Sequence, residues 1–290
     1  MKIFLIITSF KELTLERAIK AALDQKTSFK YEVIVVSPQD KDLRMAKGMG
    51  AIPFKDPGKG KSFALNLIFK KIKADILIFT DGDVYINDIA IEEIVNSFSD
   101  PHIGCITGRP VPIENKSTKY GYWANVLLNA AHRIRMDLCK NNKFIECSGY
   151  LFAFRGNLIK EIPLDVAEDA YIPYRFAEKG YRIRYADKAE VYIKNVNNFK
   201  DWILQKTRTS KAHETLDKYV DTESNKKVKS FSEEAKGLFK VLSEPRNLKE
   251  FYWTIQLIFA RLWMWINVKV DTTFRNKHYN DGWEVSHSTK

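Results

Sequence analysis

The chain opens on Ile3–Ile7, a short apolar run rich in β-branched residues. Leu13–Gln25 follows, with Leu15, Ile19, Ala22 and Leu23 on one helical face. A second apolar run, Val33–Val36, ends at Ser37-Pro38, and a third, Ile76–Phe79, feeds into Thr80-Asp81-Gly82-Asp83. Between them Ser62 is placed to cap a helix bearing Ala64, Leu67, Ile68 and Ile72 on one stripe. Ala51-Ile52-Pro53-Phe54 is short and broken by proline, and it reads as no clear strand. Apolar strands alternating with amphipathic helices predict an α/β fold, a mixed, mostly parallel sheet flanked by helices. In such sheets ligands bind beyond the carboxyl ends of the strands. Thr8-Ser9, Ser37, Asp81 and Asp83 are therefore the first places to look for chemistry.

Past residue 100 the pattern changes. Ile103–Thr107 and Phe144–Phe154 read as strands flanking a long helix over residues 118–139. A helix over 168–179 is closed by Gly180, Tyr181–Lys194 returns as strand or hairpin, and Asn198–Tyr219 is amphipathic. Val220–Ser232 is charged, with Lys226, Lys227 and Lys229, and reads as a mobile loop. From Glu250 onward aromatics crowd together: Phe251, Tyr252, Trp253, Phe259, Trp263, Trp265, Phe274, Tyr279 and Trp283. Phe251–Val270 approaches the length of a membrane span, but Gln256, Arg261, Asn267 and Lys269 interrupt it. A central arginine costs at least ~2.5 kcal/mol in a bilayer. The segment fits an interfacial helix better, with core closure or a dimer contact as the alternatives.

Composition narrows the class. Apolar residues make up 45% of the 290 and charged ones 29%, which excludes disorder throughout and allows a large core. Three cysteines, Cys105, Cys139 and Cys147, are too few and too odd in number for a disulfide scaffold. They read as buried thiols, and no C-x-x-C pattern suggests zinc. The net charge of +11 favours an anionic partner. The first apolar run is too short for a signal peptide, so a cytoplasmic location is expected.

Asp81-Gly82-Asp83 is the sharpest candidate. Two carboxylates two residues apart at the end of a buried strand can converge on one hard divalent ion, Mn²⁺ or Mg²⁺, with phosphate oxygens as further ligands. Glycine would let the chain turn tightly there. An ordinary Asp-Gly turn is the plainer explanation. Gly58-Lys59-Gly60-Lys61-Ser62 ends like a phosphate-binding P-loop, but Lys55 stands where its first glycine belongs, so it is a near miss. Such a basic loop at a helix start can still hold phosphate. Glu168-Asp169 at a helix start can be simple capping, or can supply a general base. Gln205-Lys206-Thr207-Arg208 lies on a basic helix, where Lys206 and Arg208 can neutralise a diphosphate. His213 follows a turn later, and a lone histidine carries little meaning.

Taken in order, these features resemble a family-2 glycosyltransferase of the GT-A (Rossmann-like) fold over residues 1–215. Thr8-Ser9-Phe10-Lys11-Glu12 sits where that family has P-T-Y-N-E, and Gly60-Lys61-Ser62-Phe63-Ala64-Leu65-Asn66 is similar to its G-K-x-x-A-L-N. Asp81-Gly82-Asp83 is similar to its D-x-D. Ser148-Gly149 with Phe152–Arg155 resembles its acceptor-side strand. Glu168-Asp169 with Arg175 and Gly180 resembles E-D…R…G, and Gln205 with Arg208 resembles Q-x-x-R-W. Ser37-Pro38-Gln39-Asp40 replaces the usual D-D-G-S, which leaves UDP, GDP or another nucleotide open. Thr209 replaces the tryptophan typical of processive synthases, which favours single addition.

The resemblance implies inverting transfer from a nucleotide-sugar to an acceptor hydroxyl. It assigns Asp169 as base and Glu168 as its orienting neighbour. Asp83 would hold the metal, and Asp81 the metal or ribose. Thr8, Ser9 and Glu12 would line the nucleoside pocket, with Lys61, Gln205 and Arg208 around the phosphates. The expected organisation is a catalytic domain over 1–219, its nucleotide half 1–100 and acceptor half 101–219, followed by a helical, aromatic-rich appendage over 220–290. Residues 245–290 would touch the inner face of a membrane where a glycan or lipid-linked acceptor is presented. No nucleic-acid partner is expected. A nucleotidylyltransferase would need a glycine-rich loop after the first strand, which Thr8–Lys11 lacks. A non-enzymatic binder of polyanions leaves the acidic strand and helix ends unexplained.

Overall fold

The computed structural model describes residues 1–222 and 241–274. Eight strands form one sheet: β1 (Ile3–Thr8), β2 (Glu32–Ser37), β3 (Ile52–Lys55), β4 (Ile76–Asp81), β5 (Tyr85–Ile86), β6 (Ile103–Pro112), β7 (Leu151–Arg155) and β8 (Arg182–Ile193). Their spatial order is β3-β2-β1-β4-β7-β6-β8-β5. β1 pairs in parallel with β2 and β4, β2 with β3, and β6 with β8, while β7 runs antiparallel between β4 and β6. The sheet is mixed, as the apolar pattern predicts.

Both faces are covered because successive residues of each central strand are apolar in both directions. Ile6, Val36, Phe79 and Phe152 face one core with α3 (Lys61–Lys71) and α6 (Glu168–Ala177). Leu5, Ile7, Val35 and Ile78 face the other with α1 (Leu15–Leu23), α2 (Asp40–Met49) and α4 (Ala90–Ser97). Phe79 stacks at 5.2 Å on both Phe152 and Phe154, which locks β4 to β7.

Several boundaries differ from the sequence reading. Ile52–Lys55 is a strand, and Pro53 is tolerated because β3 is the sheet's edge. The acidic pair thus closes the fourth strand, not the third. Gly60 (φ +109), not Ser62, is the N-cap of α3, and Ser62 is buried in its first turn. The strand expected over Phe144–Phe154 begins only at Leu151, because the preceding segment turns to bury Glu146 and Ser148. Tyr181–Lys194 gives one strand rather than a hairpin, with a bulge where β6 passes from Thr107 to Arg109. The helix read over Asn198–Tyr219 is α7 (Phe199–Glu214), capped by the Asn198 side chain and followed by a 3₁₀ turn at Leu216–Lys218. The helix over 168–179 ends at Ala177, and Gly180 (φ +82) completes the reversal into β8.

Helices α5 (Lys119–Lys140), α7 and α8 (Leu248–Lys269) enclose a third core around Trp123, Trp202, Leu257 and Met264. Trp123 Nε1–H donates to the Trp253 carbonyl at 2.8 Å, and the Tyr122 and Thr254 hydroxyls meet at 2.7 Å. One side of α8 therefore closes a core. The other side leaves Phe251, Tyr252, Phe259, Leu262, Trp263 and Ile266 exposed. No helix among the described residues is long and apolar enough to cross a membrane. Most of the segment read as a mobile loop, from Glu223 to Ser232, lies outside the described residues, as do Tyr279 and Trp283. Cys105 and Cys147 are buried free thiols, and Cys139 is half-buried.

Candidate active site

Because β1 to β4 run parallel, their last residues, Thr8, Ser37, Lys55 and Asp81, emerge at one edge of the sheet. β7 enters antiparallel with Leu151 opposite Thr80, so Gly149 and Tyr150 reach the same edge from the other direction. Short backbone bonds stitch these ends together: Gly82 N–H to Thr8 O at 2.8 Å and Ser9 N–H to Val36 O at 2.9 Å. Gly82 does not adopt a left-handed backbone. Its need is space, since a Cβ there would lie 3.1 Å from Ser9 Cβ and 3.2 Å from Leu15 Cδ1.

The two acids of this loop differ. Asp81 Oδ1 accepts a hydrogen bond from Thr8 Oγ1 at 2.7 Å and lies 2.7 Å from Lys61 Nζ. The same ammonium is 2.8 Å from Glu168 Oε1, so Lys61 bridges the end of β4 and the start of α6. Burial alone would lower the Lys61 pKa, but the Asp81 and Glu168 carboxylates hold it well above the ordinary lysine value. Lys61 is a fixed positive charge. For Asp83, burial and then the Asp81 charge push the carboxyl up to about 6, against the pull of Lys61 and Arg208. The loop is short of positive charge at Asp83.

That shortage, with hard carboxylate oxygens at Asp81 and Asp83, fits a Mn²⁺ or Mg²⁺ ion. No group of three or more His, Cys, Asp or Glu gathers among the described residues. An ion held here would take its remaining ligands from water and phosphate oxygens, as Mg²⁺ commonly does.

Asp169 is set by its neighbours. The Gly149 N–H donates to Asp169 Oδ2 at 2.8 Å, and a Cβ on Gly149 would stand only 3.2 Å from that oxygen. Asn66 fastens α3 to the segment leading into α6, exchanging two 2.8 Å hydrogen bonds with the Ile162 backbone. Burial first, then the Asp83 and Asp81 charges, raise the Tyr150 phenol pKa, Arg208 opposes them, and Asp169 adds to them. The contact between the two acidic segments is made by Lys61, which reaches Asp81 at 2.7 Å and Glu168 at 2.8 Å and so sets the end of β4 beside the first turn of α6, where Asp169 follows Glu168.

The other expected residues are placed as follows. Thr8 and Ser9 are buried, and their hydroxyls are spent on Asp81 and Asp42 rather than turned to solvent. Glu12 is half-buried in the loop after β1. Arg208 is exposed on α7 but acts electrostatically on Asp83 and Tyr150. Gln205, one turn earlier, has a buried Oε1 with no hydrogen-bond partner among the described residues. His213 points elsewhere: it is buried with its Nδ1 3.6 Å from Glu146 Oε2.

Three contributors escaped the sequence reading. Asp42, buried in the first turn of α2, accepts from Ser9 Oγ at 2.9 Å and Ser37 Oγ at 2.8 Å. An acid in a helix's first turn just after a strand-end serine was the available signal. Neither Tyr150 nor Asp56 carries a sequence pattern of its own. Asp56 is only 2% exposed; its Oδ1 accepts the Gly58 N–H at 2.7 Å and its Oδ2 is buried without a partner among the described residues. Burial raises its pKa despite that bond and the nearby Lys55.

A mixed, mostly parallel sheet flanked by helices, with an acidic strand end beside the start of a helix, has the arrangement of a GT-A fold. The model of the family described as Glycosyl transferase family 2 matches residues 4–162, more than half of the chain, and the protein belongs to that family. The chain is 26% identical over 215 residues to the O-antigen chain rhamnosyltransferase RfbN of Salmonella typhimurium, covering 69% of this chain and 68% of that one. In fold it is similar to S. aureus TarS 1-349 in a crystal structure with UDP-GlcNAc. There the TM-score is 0.51 at 14% identity, with 96% of this chain and 93% of that chain covered. The protein is a glycosyltransferase.

Proposed function

We propose that this enzyme moves a hexose-type sugar from a nucleotide donor to an acceptor hydroxyl with inversion, one residue at a time. The observation that carries this reading is the Lys61 bridge: its ammonium lies 2.7 Å from Asp81 and 2.8 Å from Glu168, which brings the acidic strand end beside the helix start that holds Asp169. The names of the relatives agree with it, one a rhamnosyltransferase and one crystallised with UDP-GlcNAc.

In this scheme the Asp169 carboxylate, oriented by the Gly149 N–H, takes the proton of the acceptor hydroxyl. The hydroxyl oxygen forms its bond to the anomeric carbon as the bond to the diphosphate oxygen breaks. That electron pair leaves with the nucleoside diphosphate, and Arg208 stabilises the charge that develops. Lys61 keeps Asp81 and Glu168 in place across the cleft. A divalent ion held by Asp83, with Asp81 beside it, would supply Lewis-acid stabilisation of the diphosphate. The exposed aromatic face of α8, with Trp263 and Phe259, would rest at a membrane surface that presents a lipid-linked or glycan acceptor.

The test is release of nucleoside diphosphate from a panel of UDP- and GDP-sugars, with and without Mn²⁺. Asp83→Asn is expected to abolish the metal-dependent part of donor binding. Asp169→Asn should leave donor binding intact and lower transfer by about 10²–10⁴-fold. Near-normal transfer by Asp169→Asn would remove the base assignment. A product that keeps the donor's anomeric configuration, read by NMR, would remove inversion.

A further inference from the structure

Arg135 stands out among the charged groups beyond the cleft's acidic loop. It lies on α5 and is 9% exposed, yet no hydrogen bond and no ion pair reaches it among the described residues. A guanidinium cannot shed its charge. The Arg135 stem is buried while its nitrogens reach solvent, where an anion can meet them. Its surroundings supply further hydrogen-bonding groups and, among the described residues, no free acid within ion-pair reach of it. His132, one turn earlier on the same face, has its Nδ1 2.8 Å from the Tyr185 hydroxyl. Arg109 on β6 is also near, acting on both His132 and Tyr185. The acids of this region are engaged elsewhere or at longer range: Glu190 pairs with Arg109 at 3.2 Å, and Asp187 acts on His132 without an ion pair to Arg135.

The position matters as much as the charge. Tyr185, which meets His132, lies opposite Thr107 in the sheet; Thr107 Oγ1 accepts the Ser148 N–H at 2.9 Å, and the next residue, Gly149, donates to Asp169 at 2.8 Å. The orphan guanidinium therefore stands in the neighbourhood of the carboxylate proposed as base.

We infer that Arg135, with His132 beside it, binds the phosphate of a phosphate-bearing acceptor whose hydroxyl is presented to Asp169. The inference rests on the glycosyltransferase reading and names the acceptor's chemical class. A guanidinium grips phosphate oxygens through two parallel N–H donors, which neutralises both partners. Two sources supply this group: a soluble sugar phosphate, or a sugar phosphate anchored to a polyprenyl lipid.

The test is calorimetric titration of the full chain in EDTA with glucose 1-phosphate, and co-flotation with phosphatidylcholine vesicles containing a polyprenyl phosphate. Arg135→Gln should weaken binding of whichever probe the wild type takes by about tenfold or more. Arg135→Lys should restore part of it. Binding confined to the vesicles assigns the lipid source, and binding of the soluble probe assigns the other. Arg135→Met should melt close to the wild type, because the guanidinium gives up no hydrogen bond or ion pair within the described residues and the buried stem is replaced by one of similar length. Equal binding by the wild type and Arg135→Gln, or no binding of either probe, overturns the inference. So does a marked fall in melting temperature for Arg135→Met, which would reveal a structural role. Mn²⁺-dependent binding of nucleoside diphosphate is read separately on the wild type. Its absence would count against the glycosyltransferase mechanism and leave the phosphate site standing or falling on its own data.

Discussion

Asp56 shows how one buried oxygen can make a loop sensitive to pH. Its carboxyl is raised by burial, so the folded state disfavours the charged form. The folded protein then binds the proton more tightly than the unfolded chain. Stability is therefore lost as pH rises from the ordinary aspartate value through the raised one. Asp56→Asn keeps an acceptor for the Gly58 N–H and removes the charge. The variant should melt above the wild type at pH 7 and lose that advantage toward pH 4. A difference in melting temperature that does not change with pH would contradict this. At this scale the sequence was partly readable. Asp81, Asp83 and Asp169 stood in recognisable patterns, whereas Asp42, Tyr150 and Arg135 owe their roles to neighbours far along the chain, which no local pattern records.

Elements were readable where the apolar period was strong and opaque where context overrode it. β1, β2 and β4 are central strands with both faces buried, and their runs are continuous. β3 was missed because proline suits only an edge, and edge position is a property of the finished sheet. The start of α7 was legible: Asn198 accepts the Asp201 N–H at 2.9 Å, as a capping residue should. Since α7 carries Gln205 and Arg208, its end is worth testing. Asn198→Ala should cost about 1 kcal/mol of stability. A stability change within error in chemical denaturation would show that packing of Trp202 alone fixes this helix end.

For the whole molecule, the third core makes α8 part of the fold while leaving an aromatic face in solvent. The sequence pattern offered membrane contact, core closure or dimerisation as alternatives. It could not divide the helix, because that division depends on where Trp123 and Trp202 sit. If the outer face meets lipid, Phe259→Ser with Trp263→Ser should sharply reduce binding to anionic vesicles while the melting temperature stays close to wild type. Unchanged vesicle binding would remove the membrane role from this face.

The insertion of β7 between β4 and β6 has a consequence during synthesis. β4 is finished at Asp81, but its partner ends only at Arg155, roughly 70 residues later. At ribosomal rates of about 5–20 residues per second, the nascent chain carries an open, apolar strand edge for several seconds. Holdase chaperones that shield such edges should therefore govern soluble yield more than the final stability does.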